Sequence, residues 1–252
     1  MKHLRRAVLL ALSLLSSCVA GSHAPPFATL PYEPFSRSAA VSIALREWRL
    51  WGSGLNDQAD YVQYAATMPE RAQGLWQRVG EYWWEGLNCG SLASGWTGKH
   101  NAKGEIFPVA VNGQFAWSAA FISYIMRISG AGPHFPYAAD HAYYINYAAR
   151  PYYPGKLLIA ENPKIYTPHL GDLVCFSRDW ATKLTFRNLP MAGYFPAHCD
   201  LVTNRQSGVL LVVGGNIDDS VLMTKLPINA QGLLMPADKN VLVILRVIYA
   251  SD

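Results

Sequence analysis

Charged side chains are scarce. Asp, Glu, Lys and Arg make up 15% of the chain, against about 25% in an ordinary globular domain. The net charge is +4, and three of those charges, Lys2, Arg5 and Arg6, sit at the extreme N-terminus. The remainder is close to neutral and holds no basic run, which excludes an electrostatic nucleic-acid surface. No CxxC pair occurs, so a zinc ribbon or thioredoxin-type site is excluded. No HExxH and no closely spaced histidine pair occurs either, so neither a metal nor another cofactor is expected. Internal repeats and a second linker are also absent, which leaves a single domain as the simplest organisation.

What is present begins with a tripartite leader. MKHLRR is a basic segment, AVLLALSLL an apolar one, and LSSC follows. The apolar run is too short to span a bilayer permanently and has the layout of a secretory signal over residues 1–17. Its ending, Leu15-Ser16-Ser17-Cys18, resembles a bacterial lipobox. That resemblance implies acylation of Cys18 and, with Val19 next, anchoring on the periplasmic face of the outer membrane. Residues 18–35 contain GSHAPPFATLPYEP, a proline-rich tether, and residues 36–252 form the domain. The aromatic content of 12% marks a compact globule and not a disordered tail.

Cys89, Cys175 and Cys199 remain after Cys18. An oxidising compartment allows one disulfide among them. Cys175 lies inside the apolar strand text GDLVCF and reads as a buried small hydrophobe, so the pair to expect is Cys89–Cys199.

Hydrophobic periodicity predicts helices over 37–51, 57–66, 69–85, 115–129 and 137–149. After Pro151 the text changes to strands: GDLVCF, HCDLVTN, GVLLVVGG, SVLMTKLPI and NVLVILRVIY. Helices first and antiparallel strands second is an α+β layout. HCDLVT and VLLVVG are joined by a polar loop, 204–208, of hairpin type. If Thr203 faces Val209, His198 falls opposite Gly214 and Asn216 lies just beyond. Asp200, two residues from His198, shares its strand face, and Cys199 points away.

The helix FAWSAAFISYIMRISG opens with Ser118, a hydroxyl at the mouth of an apolar helix. It is a cap, or it is a nucleophile. A helix N-terminus offers unpaired N–H groups and a positive dipole end, which favour a developing oxyanion. A histidine would take the hydroxyl proton and a third polar group would orient it. Asn216 is the third group in that scheme, or else a turn residue; Asp200, Asp218 and Asp219 are the carboxylates within reach. His100 and His141 receive no role from the pattern. The phrases EYWWEG and HAYYINY read as core, with a glycan platform as the alternative.

The order Trp117-Ser118-Ala119-Ala120-Phe121, Gly171-Asp172-Leu173-Val174, His198-Cys199-Asp200-Leu201-Val202 and Gly215-Asn216 resembles the papain-like peptidoglycan hydrolases, the NlpC-type peptidases and CHAP amidases. REWRLWG, RVGEYWW, WTGKH and WSAAFISYIMRISG more closely resemble a bacterial family, domain of unknown function 2272. The first resemblance implies a papain-like α+β fold, with N-terminal helices packed on an antiparallel sheet. It also implies an amidase or peptidase site of Ser118, His198 and Asn216, with Asp200 behind the histidine. Gln114 becomes the oxyanion donor, with Trp117 and Arg178 beside the substrate. The partners implied are peptidoglycan or its peptides, and the membrane through the lipid. The chain departs from those hydrolases in carrying serine where they keep cysteine, and in a long segment, 177–197, between two strands. A lid or binding element is the expectation for that segment, with Arg178, Lys183 and Arg187 facing peptide carboxylates. Loss of catalysis would leave a module that binds the cell wall or a partner protein; the same serine would also suit an esterase or lipid hydrolase. Replacing Cys18 by serine should abolish labelling with radioactive palmitate and move the protein from the membrane to the soluble fraction.

Overall fold

The computed structural model describes residues 34–56, 69–87, 97–100, 103–108, 115–235 and 240–250. All of them lie in one compact unit, Glu33–Asp252. Four α-helices precede a six-stranded antiparallel sheet among these residues, an α+β architecture. None of the described helices is long and apolar enough to cross a membrane.

Helix α1, Arg37–Leu50, starts where the Ser36 hydroxyl accepts the Ala39 N–H at 3.2 Å, an ordinary serine cap. The helix expected over 57–66 lies outside the described residues. The one expected over 69–85 is divided. Pro69–Arg71 forms a 3-10 turn and α2 runs from Leu75 to Gly86. The break is at Gly74, whose φ of 91° no helix contains; its N–H is taken by the Gln77 side chain at 2.7 Å. Helix α3, Ser118–Ile128, ends at Gly130, where φ is 97° and the Ala131 N–H returns to the Met126 carbonyl at 3.0 Å. Helix α4, His141–Ala149, begins later than its periodicity suggests. Asp140 is the reason: its carboxylate accepts the Tyr143 N–H at 2.8 Å.

The strands are β1, Leu158–Glu161; β2, Leu173–Ser177; β3, Ala197–Gln206; β4, Val209–Ile217; β5, Ser220–Pro227; and β6, Val241–Val247. Their order across the sheet is β1-β6-β2-β3-β4-β5. Strand β1, four residues at an edge, carries too short an alternation to be signalled by the sequence. Alternation splits the central strands between two faces. Leu173, Cys175, Leu201 and Val213 join the large core under the helices. Val174, Phe176, Val202 and Val212 join a smaller core on the other face.

Two expectations are corrected here. Gln206, not Thr203, pairs with Val209, and a bulge between Val202 and Asn204 shifts the register above it, so Leu201 meets Val213. The residues read as a loop are mostly strand, closed by Ser207-Gly208, because that short turn suffices when Gly208 takes φ 73°. The disulfide is Cys175–Cys199, and Cys175 is not a lone buried thiol. The two cysteines are direct partners of β2 and β3, with Cα atoms 4.1 Å apart, brought together once register opposes them. Cys89 lies outside the described residues.

The helical layer closes around one carboxylate. Glu47 of α1 is fully buried and accepts from Arg78 of α2 at 3.1 and 2.5 Å. Tyr82 donates to it at 2.6 Å and Tyr124 of α3 at 3.4 Å. The Trp51 indole N–H then donates to the Tyr82 oxygen at 2.9 Å. Trp51 stacks on Trp117 with ring centroids 5.2 Å apart, so the junction reaches the start of α3. Glu47→Ala would leave the buried Tyr82 hydroxyl without its acceptor and the half-buried Arg78 with Glu81 as its remaining carboxylate. Urea denaturation should show a loss of about 1–3 kcal/mol, the cost of leaving a buried hydroxyl unsatisfied.

Candidate functional site

Ser118 is the first residue of α3, and Trp117 before it occupies the cap position without a side-chain capping bond. The serine hydroxyl instead engages across the structure: its Oγ lies 2.7 Å from Nε2 of His141, the first residue of α4. Both side chains are buried, Ser118 at 7% exposure and His141 at 4%. The Trp117 ring is fully buried, its N–H donated to Glu70 at 2.6 Å. Burial pushes the Glu70 carboxyl up to about 7; the Trp117 bond opposes this and the charge of Asp219 adds to it.

His141 is held at both ring nitrogens, Nε2 at Ser118 and Nδ1 at the Tyr144 hydroxyl one turn on. Burial pushes its imidazole well below the usual histidine value, and the charges of His198 and Arg178 act in the same direction. Burial likewise pushes the Tyr144 phenol well above its ordinary value, so it stays neutral. When Ser118 donates to Nε2, the ring proton sits on Nδ1 and Tyr144 oxygen accepts it. A neutral imidazole with a free lone pair toward a hydroxyl is the state a general base requires.

A second pair lies alongside. Nε2 of His198 is 2.8 Å from Oδ1 of Asp200, both on β3 and both 2% exposed. The His198 ring meets that of His141 edge-on, with centroids 5.3 Å apart. Continuing the β3–β4 register brings Gly214 against Asp200, where a Cβ would stand 1.8 Å from Oδ1. A Cβ on Gly215 would stand 2.6 Å from the Phe121 ring of α3. The Gly-Gly pair is therefore a packing requirement: one glycine admits the carboxylate, the other the helix.

The remaining expected residues scatter more. Asn216 is half-buried near the end of β4 with φ 55°, and Asp218 and Asp219, also at positive φ, turn the chain into β5. Asparagine and aspartate tolerate that conformation better than most residues. Arg178 is exposed, with its charge acting on His141. Gln114 and Cys18 lie outside the described residues. The 177–197 segment is docked on α4 through Asn146, whose side chain accepts from the Met191 N–H at 2.8 Å and donates to the Gly193 carbonyl at 3.2 Å. Phe195 and Ala181 sink into the core, while Lys183 and Arg187 stay exposed.

His141, to which the sequence pattern gives no role, and Tyr144, which it reads as core, are both site residues. Their i,i+3 spacing signals a shared helix face, but nothing in the text says which helix mouth that face meets. Among the described residues no group of three or more His, Cys, Asp and Glu is placed to hold a metal ion.

The model of a family described as "Uncharacterized protein conserved in bacteria (DUF2272)" matches residues 70–246. The chain belongs to this family. The DUF2272 match spans both pairs, Ser118–His141 and His198–Asp200, and begins at Glu70 itself. The α1 residue Glu47 precedes it. Neither the curated proteins nor the solved structures compared with the chain match it.

Glu70 supplies a pH test of this end of the DUF2272 domain. A carboxyl raised in the fold from 4.5 to about 7 contributes stability fully below its unfolded value. That contribution fades as pH rises through the folded one. Stability of the wild type should therefore fall between pH 4.5 and 7 relative to Glu70→Gln. The difference, followed by thermal unfolding across that range, should reach about 3 kcal/mol at 1.36 kcal/mol per unit.

Proposed function

We propose that this chain is a papain-like cell-wall hydrolase, an amidase or peptidase of peptidoglycan that forms an acyl-enzyme on Ser118. The observation that carries the reading is the 2.7 Å contact between Ser118 Oγ and His141 Nε2 at the N-terminus of α3. The family-like order of the Trp117–Phe121, Gly171–Val174, His198–Val202 and Gly215-Asn216 phrases supports the papain-like assignment and the substrate class. The lipobox at Cys18 supports a lipid-anchored protein facing the periplasm.

His141 Nε2 takes the Ser118 proton while Oγ attacks the carbonyl carbon of the scissile amide. The oxygen of the tetrahedral intermediate is met by the unpaired N–H groups and dipole of the first turn of α3. The imidazolium passes the proton to the departing amine, and Tyr144 oxygen keeps the Nδ1 proton in place throughout. Water, deprotonated by the same ring, then releases the acyl group. His198 with Asp200 forms the neighbouring imidazole–carboxylate pair, in which the Asp200 carboxylate lies 2.8 Å from His198 Nε2. This moves the base from His198 to His141 and leaves Asn216 as a turn residue at the site's edge.

A second reading has an observation of its own. Ser118, His198 and Asp200 are only 7%, 2% and 2% exposed, which suits a site that has lost turnover and persists as a binding module. The two readings separate on purified sacculi. Hydrolysis should release soluble fragments, and Ser118→Ala or His141→Ala should each lower the rate by about 10³-fold or more, without adding when combined. Ser118→Cys should keep or raise activity. Sacculus binding with no fragments released from wild type or Ser118→Cys would replace the enzyme by the binding module.

A further inference from the structure

Helix α4 has two working faces. His141 and Tyr144 point inward to Ser118, while Tyr143 and Tyr147, four residues apart, share an adjoining face. There they border a cleft of about 910 Å³, with Tyr137, Tyr153, Arg127 and His134 among its walls. That volume falls in the range of roughly 300–1,000 Å³ typical of ligand sites. Tyr143 is 57% exposed and Tyr153 50%. Four tyrosines on one cleft offer flat apolar faces and hydroxyl tips together, which is more than an incidental exposed ring. The Tyr147 and Tyr153 hydroxyls already meet at 2.7 Å, fixing the two rings relative to each other.

The charge of the cleft is one-sided. Among its described lining residues there is no Asp or Glu, while Arg127 and His134 face it. The Arg127 guanidinium lies 3.8 Å above the Tyr137 ring, and the Tyr137 hydroxyl is tied to the Gly132 carbonyl at 2.8 Å. Arg127 Nε is buried and has no hydrogen-bond partner among the described residues. A guanidinium held by stacking at the wall of a cleft without acidic residues is a fixed positive charge for a carboxylate.

We infer that this cleft binds a carboxylate-bearing saccharide: the tyrosine faces take the sugar rings and Arg127 takes the acid. The inference rests on the proposed cell-wall reading and adds to it a glycan subsite bordered by α4, the helix that also supplies His141 to Ser118. The acidic sugar of the wall's glycan strand would then lie in the cleft while the attached peptide runs toward the hydroxyl.

Titration calorimetry of the purified protein tests this with two disaccharides. One joins N-acetylglucosamine to N-acetylmuramic acid; the other, di-N-acetylchitobiose, has the same kind of rings and no carboxylate. Neither carries a peptide, so binding is read independently of hydrolysis, and inactivity on sacculi would leave this result standing. The acidic disaccharide should bind about tenfold or more tightly than the neutral one, the scale of one charge-assisted hydrogen bond. Arg127→Gln should erase that preference, and Tyr143→Ala, a change on an exposed face that spares the fold, should weaken both sugars. Equal affinity for the two, binding of neither, or a preference untouched by Arg127→Gln would overturn the inference.

Discussion

The carboxylate of Glu47 is the constraint on which the helical layer depends. A buried negative charge is tolerable only when donors surround it, and here they come from α2 and α3: Arg78, Tyr82 and Tyr124. Three helices must therefore meet at one point and in one orientation. Trp51 and Trp117 stack beside that point, and Trp117 hands its N–H to Glu70. The start of α3 is held from several sides before Ser118 makes any contact of its own. Such over-determination is what a site needs if a hydroxyl is to be positioned within a few tenths of an ångström.

The interior beyond Ser118 is organised by the difficulty of burying charge. Two imidazoles lie with their rings 5.3 Å apart, and both cannot cheaply be protonated. Burial keeps His141 neutral, whereas His198 has the Asp200 carboxylate at 2.8 Å. The neighbours thus differ: burial leaves one ring neutral with a lowered proton affinity, and the other has a counter-charge at hand. Gly214 and Gly215 make this packing possible by leaving no side chain between β4 and either Asp200 or Phe121.

Much of this was legible residue by residue. The α3 mouth at Ser118, its stop at Gly130, and the shared face of His198 and Asp200 follow from periods of 3.6 and 2 and from the properties of glycine. What escaped has a common cause. The β3–β4 register slipped because a bulge at Thr203 adds a residue that no alternation records. Gly74 divided a helix whose hydrophobic pattern runs on past it. The Gly-Gly pair before Asn216 read as turn chemistry because the atoms that exclude a Cβ belong to a distant strand and a distant helix. Cys175 found Cys199 only once β2 was laid beside β3.

The sequence by itself determined the α+β order of elements, the position of a hydroxyl at a helix N-terminus, and a histidine and an aspartate on one strand face. Those follow from interactions among residues near one another in the chain. Only the tertiary structure decided that Ser118 reaches His141 and not a capping position, that the disulfide joins β2 to β3, and that the tyrosines of α4 line a cleft with Arg127. Each of these partners is separated by many residues of chain. Which of them meet is set by how helices pack on the sheet, a property of volumes and buried charges that local patterns do not encode.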